Sequence, residues 1–266
     1  MAVIWGLDLK EIQWGKFKNS NMWNTEYHLR RTKFIVYQIA MICCVVSESL
    51  GTAALSDYID QQDYISQHHP GATVHNNNFI GIASYNIFVG VYVATIFGSA
   101  FFFDLFWPER KESPSVTLAW RICSVLACLF TLSCALAYTV ILATASAYVS
   151  GATSGQAQQY VADYGGSSTM RYRDNPRGVA SVVFLWPGTV ATFASTYILW
   201  RSLAHIDAYG PKSTHAKTRD GVIQEKPVDS SSLNADAPGV TAPDASYSRP
   251  ESAAHTAPAP RAYEGV

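Results

Sequence analysis

Charge is scarce in this sequence. Asp, Glu, Lys and Arg make up 15% of its 266 residues, against about 25% in ordinary globular chains. The shortage is also uneven. Four stretches, residues 34–56, 79–103, 115–149 and 178–200, carry only Glu48 and Arg121 as charged side chains. The remainder is charged like any water-exposed chain, so the average joins a lipid-suited sequence to a water-suited one. That division excludes a soluble globular enzyme, and the net charge of −1 excludes a strongly basic nucleic-acid binder.

Other absences narrow the chemistry. None of the seven histidines (His28, His68, His69, His75, His205, His215 and His255) falls in an apolar stretch, so a bis-histidine haem between helices is excluded. Cys43, Cys44, Cys123, Cys128 and Cys134 all lie within the stretches and form no Cys-x-x-Cys pair, which excludes a disulfide-stapled secreted domain and argues against a thiol oxidoreductase of that type. There is no phosphate-cradling glycine loop, no Gly-x-Ser-x-Gly elbow and no His-Glu-x-x-His. Asp57, Asp60 and Asp63 share a segment with His68, His69 and His75, but their spacing matches no standard zinc site, and a solvated polar loop is the expectation. No catalytic, cofactor-binding or metal-ligating residue is assigned, and no enzyme is expected.

A membrane helix needs about 20 predominantly apolar residues to cross about 30 Å of hydrocarbon, and all four stretches are that long. Sustained period-two alternation is missing, which excludes barrel strands. The fold class expected is therefore all-α, an integral membrane four-helix bundle. Residues 1–33 form a basic, aromatic leader, 34–203 the four-span domain and 204–266 a disordered cytoplasmic tail. The third stretch is long enough to project beyond the bilayer on the Val149 side.

Orientation follows from Lys and Arg. The leader has Lys10, Lys16, Lys18, Arg30, Arg31 and Lys33, whereas 57–78 has no basic residue. With four spans both termini share a side, and that side collects 16 of the 19 basic residues. Both termini are expected to be cytoplasmic. Spans of 23–25 residues lean towards the plasma membrane over endomembranes.

Between the spans, Trp5, Trp14 and Trp23 of the leader suit a segment lying at headgroup depth. Glycines interrupt 150–176, leaving room for a short helix near 156–164. The tail holds prolines and serines with few large aliphatic residues, too little apolar area to offset chain entropy. Its Ser230, Ser231 and Ser232 are candidate phosphorylation sites.

Inside the spans, small residues recur every four positions: Asn86, Gly90, Ala94 and Gly98 in the second, and Ala127, Thr131, Ala135, Thr139, Ala143 and Ala147 in the third. One face of small residues lets helix backbones approach closely. Glu48 is the sole acid of the four runs, and an intramembrane acid is a functional-site hypothesis by default. It shares a depth of about 10–12 Å with Asn86, so a Glu48–Asn86 hydrogen bond is expected. Arg121 can snorkel or pair with Asp104 near the inner boundary. Pro187, followed by Gly188, is a candidate hinge.

Four spans with both ends inside, a small-residue core, modest external loops and a Pro/Ser/Ala-rich tail resemble the tetraspan membrane organisers, especially MARVEL-like proteins of filamentous fungi. The resemblance covers about 34–203 and is topological. The 57–78 segment has no cysteine and thus departs from the claudin and tetraspanin loop signatures, so no site residue is carried over. The resemblance implies a scaffolding or organising role in a membrane subdomain, with the lipid bilayer, other membrane proteins or a second copy, and a cytosolic partner of the tail as associates. The alternative is a small transporter, channel subunit or sensor using Glu48 and Asn86.

Overall fold

The structure is a computed structural model describing residues 3–4, 7–8, 12–110, 112–166 and 168–219. The serines at 230–232, the rest of the tail beyond 219 and Trp5 lie outside the described residues. Two short antiparallel strands, β1 (Val3–Ile4) and β2 (Leu7–Asp8), precede a 3-10 turn (Trp14–Phe17) and α1 (Asn19–Met22). Then come α2 (Arg30–His68), β3 (Thr73–His75), α3 (Asn77–Phe106), α4 (Pro114–Thr144), β4 (Tyr148–Ser150), α5 (Ser154–Tyr164), α6 (Pro176–Tyr209) and α7 (Thr214–Arg219). The four long helices α2, α3, α4 and α6 are each long and apolar enough to cross a membrane.

Local chemistry sets several ends. Pro114 and Pro176 open α4 and α6, where proline's missing N–H costs nothing. Ser113 Oγ accepts from the Val116 N–H, and Asn175 Oδ1 accepts from the N–H groups of Arg177 and Gly178. A Thr153–Gln156 capping box starts α5, and Gly165, at φ 66°, ends it. That helix stands where the sequence left room for one.

With Phe34 buried beside it, one seam along the buried side of α2 reads Arg30, Lys33, Tyr37, Ala40, Cys44, Ser47, Gly51, Ala54, Tyr58, Gln61, Ile65. Steps of three and four alternate without a break, a mean of 3.5 residues, which is the repeat of left-handed helix bundles. On α6, Gly178, Ser181, Leu185, Gly188, Thr192, Ser195, Leu199 and Ser202 follow the same alternation. With both seams in register, α2 packs on α3 and α6, and α4 closes the ring against α3 and α6. Outward faces are apolar, with Ile42, Val91, Leu129, Val140, Val183 and Val190 all exposed. A strict four-residue stripe drifts about 40° per step, so the one expected on α4 leaves the core. Ala127, Thr131 and Ala135 are buried, Thr139 is half-buried and Ala143 is exposed, the seam continuing instead through Tyr138 and Leu142.

Three boundaries differ from the sequence reading. The 57–78 segment is not a solvated loop, because α2 runs on to His68. Tyr58, Gln61 and Ile65 continue its seam: Tyr58 packs on Phe79 and Tyr172, Gln61 Nε2 donates to Ser168 O, and Ile65 clusters with Ala72 and Val74. The third run does not project as helix to Val149. Helix α4 stops at Thr144, and 148–150 pairs as β4 with β3, Val74 opposite Val149. At the other end the bundle outlasts residue 203, α6 reaching Tyr209 before α7.

Residues 14–28 of the leader fold onto this second end. Lys16 Nζ donates to Phe106 O at 2.6 Å, and Phe17 packs edge-on against Phe102 and Phe106. Residues 25–28 run beside 211–213: the Ser213 N–H donates to Glu26 O, the His28 N–H to Pro211 O, and Ser213 Oγ to Thr25 O. The His28 and His205 rings stack 3.6 Å apart within this clasp. Burial, then the neighbouring His205, Lys33 and Arg201, pull the His28 pKa down to about 4. A depressed histidine pKa means the fold holds the neutral ring. Its contribution is full above the free value of about 6.5 and is lost as pH falls towards about 4. Thermal unfolding followed across that window should show a falling midpoint, and His28→Asn, which cannot take up the proton, should flatten His28's share of the slope.

Candidate functional site

All four long helices meet at one buried polar node. Asn86 (α3) donates from Nδ2 to Ser47 O at 3.2 Å and to Ser181 Oγ at 3.3 Å, and its Oδ1 accepts from Ser47 Oγ at 3.3 Å and from Cys134 Sγ at 3.8 Å. Ser47 lies on α2, Cys134 on α4 and Ser181 on α6, which also donates from Oγ to Ser47 O at 2.8 Å. Two donors and two acceptor contacts use the full capacity of an amide side chain. Ser47, Ser181 and Cys134 are fully buried, and Asn86 is 1% exposed. The helices come this close because Gly51 has no side chain: a Cβ there would lie 2.9 Å from Asn86 Nδ2 and 3.2 Å from Ser181 Oγ.

The expected Glu48–Asn86 hydrogen bond does not form. Depth alone suggested it, but Ser47 and Glu48 differ by about 100° around α2, and the seam brings Ser47, not Glu48, to Asn86. Glu48 sits on the flank of α2, half-buried over Gly90, where a Cβ would lie 2.5 Å from its Oε2. Its carboxyl makes no hydrogen bond or ion pair with any described residue, while its backbone carbonyl accepts from Thr52 Oγ1. Gly90 therefore leaves room for an acid rather than for a helix backbone.

The other small residues fit closely. A Cβ on Gly98 would meet Met41 Sδ at 3.4 Å, and Ala94 is half-buried on the same helix. Gly188 faces α2, where an added Cβ would come within 2.8 Å of Cys44 Sγ and 3.3 Å of its backbone N. Pro187 lies inside a helix that continues through it, beside an apolar outer groove of about 550 Å³ that Val36, Ile39 and Val190 also line. On α4, Thr139 Oγ1 donates back to Ala135 O and accepts from Trp186 Nε1 of α6.

Asp104 does not pair with Arg121. Lys33 occupies a buried seam position, 5% exposed, and needs a counter-charge that Asp104 supplies across the α2–α3 contact at 2.6 Å. Arg110 holds the other Asp104 oxygen at 3.2 Å and Glu112 at 2.6 Å, and Lys33 Nζ also donates to Ser202 Oγ. Arg121 instead reaches Asp207 of α6, at 3.4 Å and well exposed. Among the described residues no group of three His, Cys, Asp or Glu side chains could hold a metal ion.

Ser47, Ser181 and Lys33 escaped the sequence reading. Their signal was the alternating three-and-four spacing of small and polar residues, which a search for four-residue spacing passes over.

Comparison with protein-family models, with curated proteins and with solved structures finds no match for this chain.

Gly51→Ala should destabilise the purified protein by about 1–3 kcal/mol through overpacking at the node. Gly81 on α3 is the control, since a Cβ added there would meet nothing within 4 Å. Gly81→Ala should be neutral or stabilise by up to about 1 kcal/mol. Unfolding midpoints of the two variants in detergent check the contrast.

Proposed function

We propose that this chain is a non-enzymatic multi-pass membrane protein that organises other membrane proteins, with both termini cytoplasmic and the plasma membrane as its site. Its recognition face is the α2–α3 flank around Glu48. The observation that carries this reading is the Glu48 carboxyl, which the described residues leave without a partner on a flank whose exposed hydroxyls, those of Ser49, Thr52 and Thr95, are each bonded to their own helix. An acid at the centre of a membrane helix costs about 2.5–3.5 kcal/mol, and a neighbouring helix bearing a hydrogen-bond donor offsets that cost. Gly90 beneath it gives the carboxyl room on the flank, and the exposed Val91 beside it offers such a helix an apolar contact. The role is of the kind that tetraspan organisers fill.

The alternative, a small transporter, channel subunit or sensor built on Glu48 and Asn86, has weaker support. The Asn86 amide is saturated by Ser47, Ser181 and Cys134, and the node around it is closed to solvent.

A photo-crosslinking side chain in place of Val91 should give discrete adducts to another membrane protein in native membranes, and Glu48→Ala should reduce them about tenfold or more. In reconstituted vesicles, ion or proton flux should be the same for the native protein and Glu48→Gln. Flux that the native protein supports and correctly folded Glu48→Gln loses would contradict the organising role.

A further inference from the structure

Arg30 is the first residue of α2 and only 4% exposed, yet no described acid forms an ion pair with it, Asp104 and Glu26 acting on its charge only from a distance. No carboxylate among the described residues pairs with it, and its Nε is buried without a hydrogen-bond acceptor. The Tyr27 and Phe34 rings lie 5.0 and 5.2 Å from its guanidinium carbon. Rings of this kind stabilise the cation through its faces, whereas its N–H donors point out along the edge, in the plane. A buried Nε–H with no acceptor is costly, so a missing acceptor is the simplest completion of the site.

The surroundings indicate the kind of acceptor. Arg30 lines a small cavity of about 10 Å³ together with Tyr27, His28, Lys33, Asp104 and Ile206. That volume holds about one oxygen atom. Both Asp104 oxygens are already engaged, one by Lys33 and one by Arg110, so among the side chains lining the cavity none offers Arg30 a free carboxylate oxygen. The N-terminus of α2 adds to the Arg30 charge: Leu29, the residue before Arg30, has no side-chain cap to offer, leaving the positive end of the helix dipole uncompensated. The site also lies four residues before the apolar run that starts at Phe34, level with headgroups once α2 is in a bilayer.

We propose that Arg30 anchors an oxyanion site for a phosphate group, one phosphate oxygen entering the cavity and the rest staying at its mouth. Two parallel N–H···O bonds from a guanidinium edge match phosphate geometry, which a lysine ammonium cannot reproduce. The same chemistry serves a phospholipid headgroup or free phosphate, and the site requires neither the organising role nor Glu48.

The test uses the purified full-length chain in detergent at fixed ionic strength. Its unfolding midpoint is followed while inorganic phosphate, short-chain phosphatidic acid or the matching diacylglycerol is titrated. A ligand that binds only the folded state raises the midpoint in a concentration-dependent way. The native protein should show such a rise, absent with diacylglycerol, abolished in Arg30→Gln and displaced to about tenfold higher concentration in Arg30→Lys. A rise with phosphatidic acid alone identifies a lipid headgroup as the source, and a rise with both shows that the phosphate group suffices. No rise with either phosphate compound overturns the proposal, as does a rise of equal size and midpoint in Arg30→Lys. If Arg30→Gln does not fold, the native titration and Arg30→Lys decide the matter.

Discussion

Within a closely packed apolar core each buried polar group must find its partner inside the protein, and the amide of Asn86 is where the four long helices jointly meet that requirement. Its four contacts reach Ser47, Ser181 and Cys134, one residue from each neighbouring or facing helix. Apolar packing alone would allow the helices to slide by a turn, since one small or aliphatic side chain replaces another at little cost. The amide does not allow it, because a shift of one position leaves buried donors without acceptors. Gly51 is part of the same device, its missing side chain giving Asn86 access to the Ser47 carbonyl.

The node fixes the middle, and the two ends close around it by different means. At one end, the Tyr58, Phe79 and Tyr172 rings pack at steep angles to one another beneath a cap made of the α2 extension, the β3–β4 pair and α5, with Tyr172 Oη donating to Asn78 Oδ1. At the other, Lys33, Asp104, Arg110 and Glu112 form a chain of alternating charges under the leader. Buried ion pairs of this kind are costly to break rather than strongly stabilising to form, so they act chiefly to specify which helix end meets which. Arg30 stands outside that chain of charges.

The helices were legible in the sequence because lipid-suited composition is a long-range signal that survives any local irregularity. Pairing was less legible. Asn86 bonds Ser47, the neighbour of Glu48, because hydrogen bonding depends on rotation about the helix axis as well as on height along it, and a displacement of one residue turns the side chain by about 100°. The 57–68 extension was hidden because aspartates and glutamines fill the outward positions and mask Tyr58, Gln61 and Ile65 on the inward ones. The partner of Asp104 was missed for a related reason. A lysine three residues into a helix reads as a flanking charge, whereas Lys33 belongs to the buried seam.

Assigning recognition to the outer face of the bundle requires that its centre be sealed. Cys134 is a native reporter at the node, fully buried and bonded to Asn86. In vesicles treated with a small, water-soluble thiol reagent supplied on both sides, Cys134 should remain unmodified while an exposed Ser66→Cys reacts fully, as read by mass spectrometry of the peptides. Modification of Cys134 at a rate comparable to that of Ser66→Cys would reveal water at the node and contradict a closed, organising bundle.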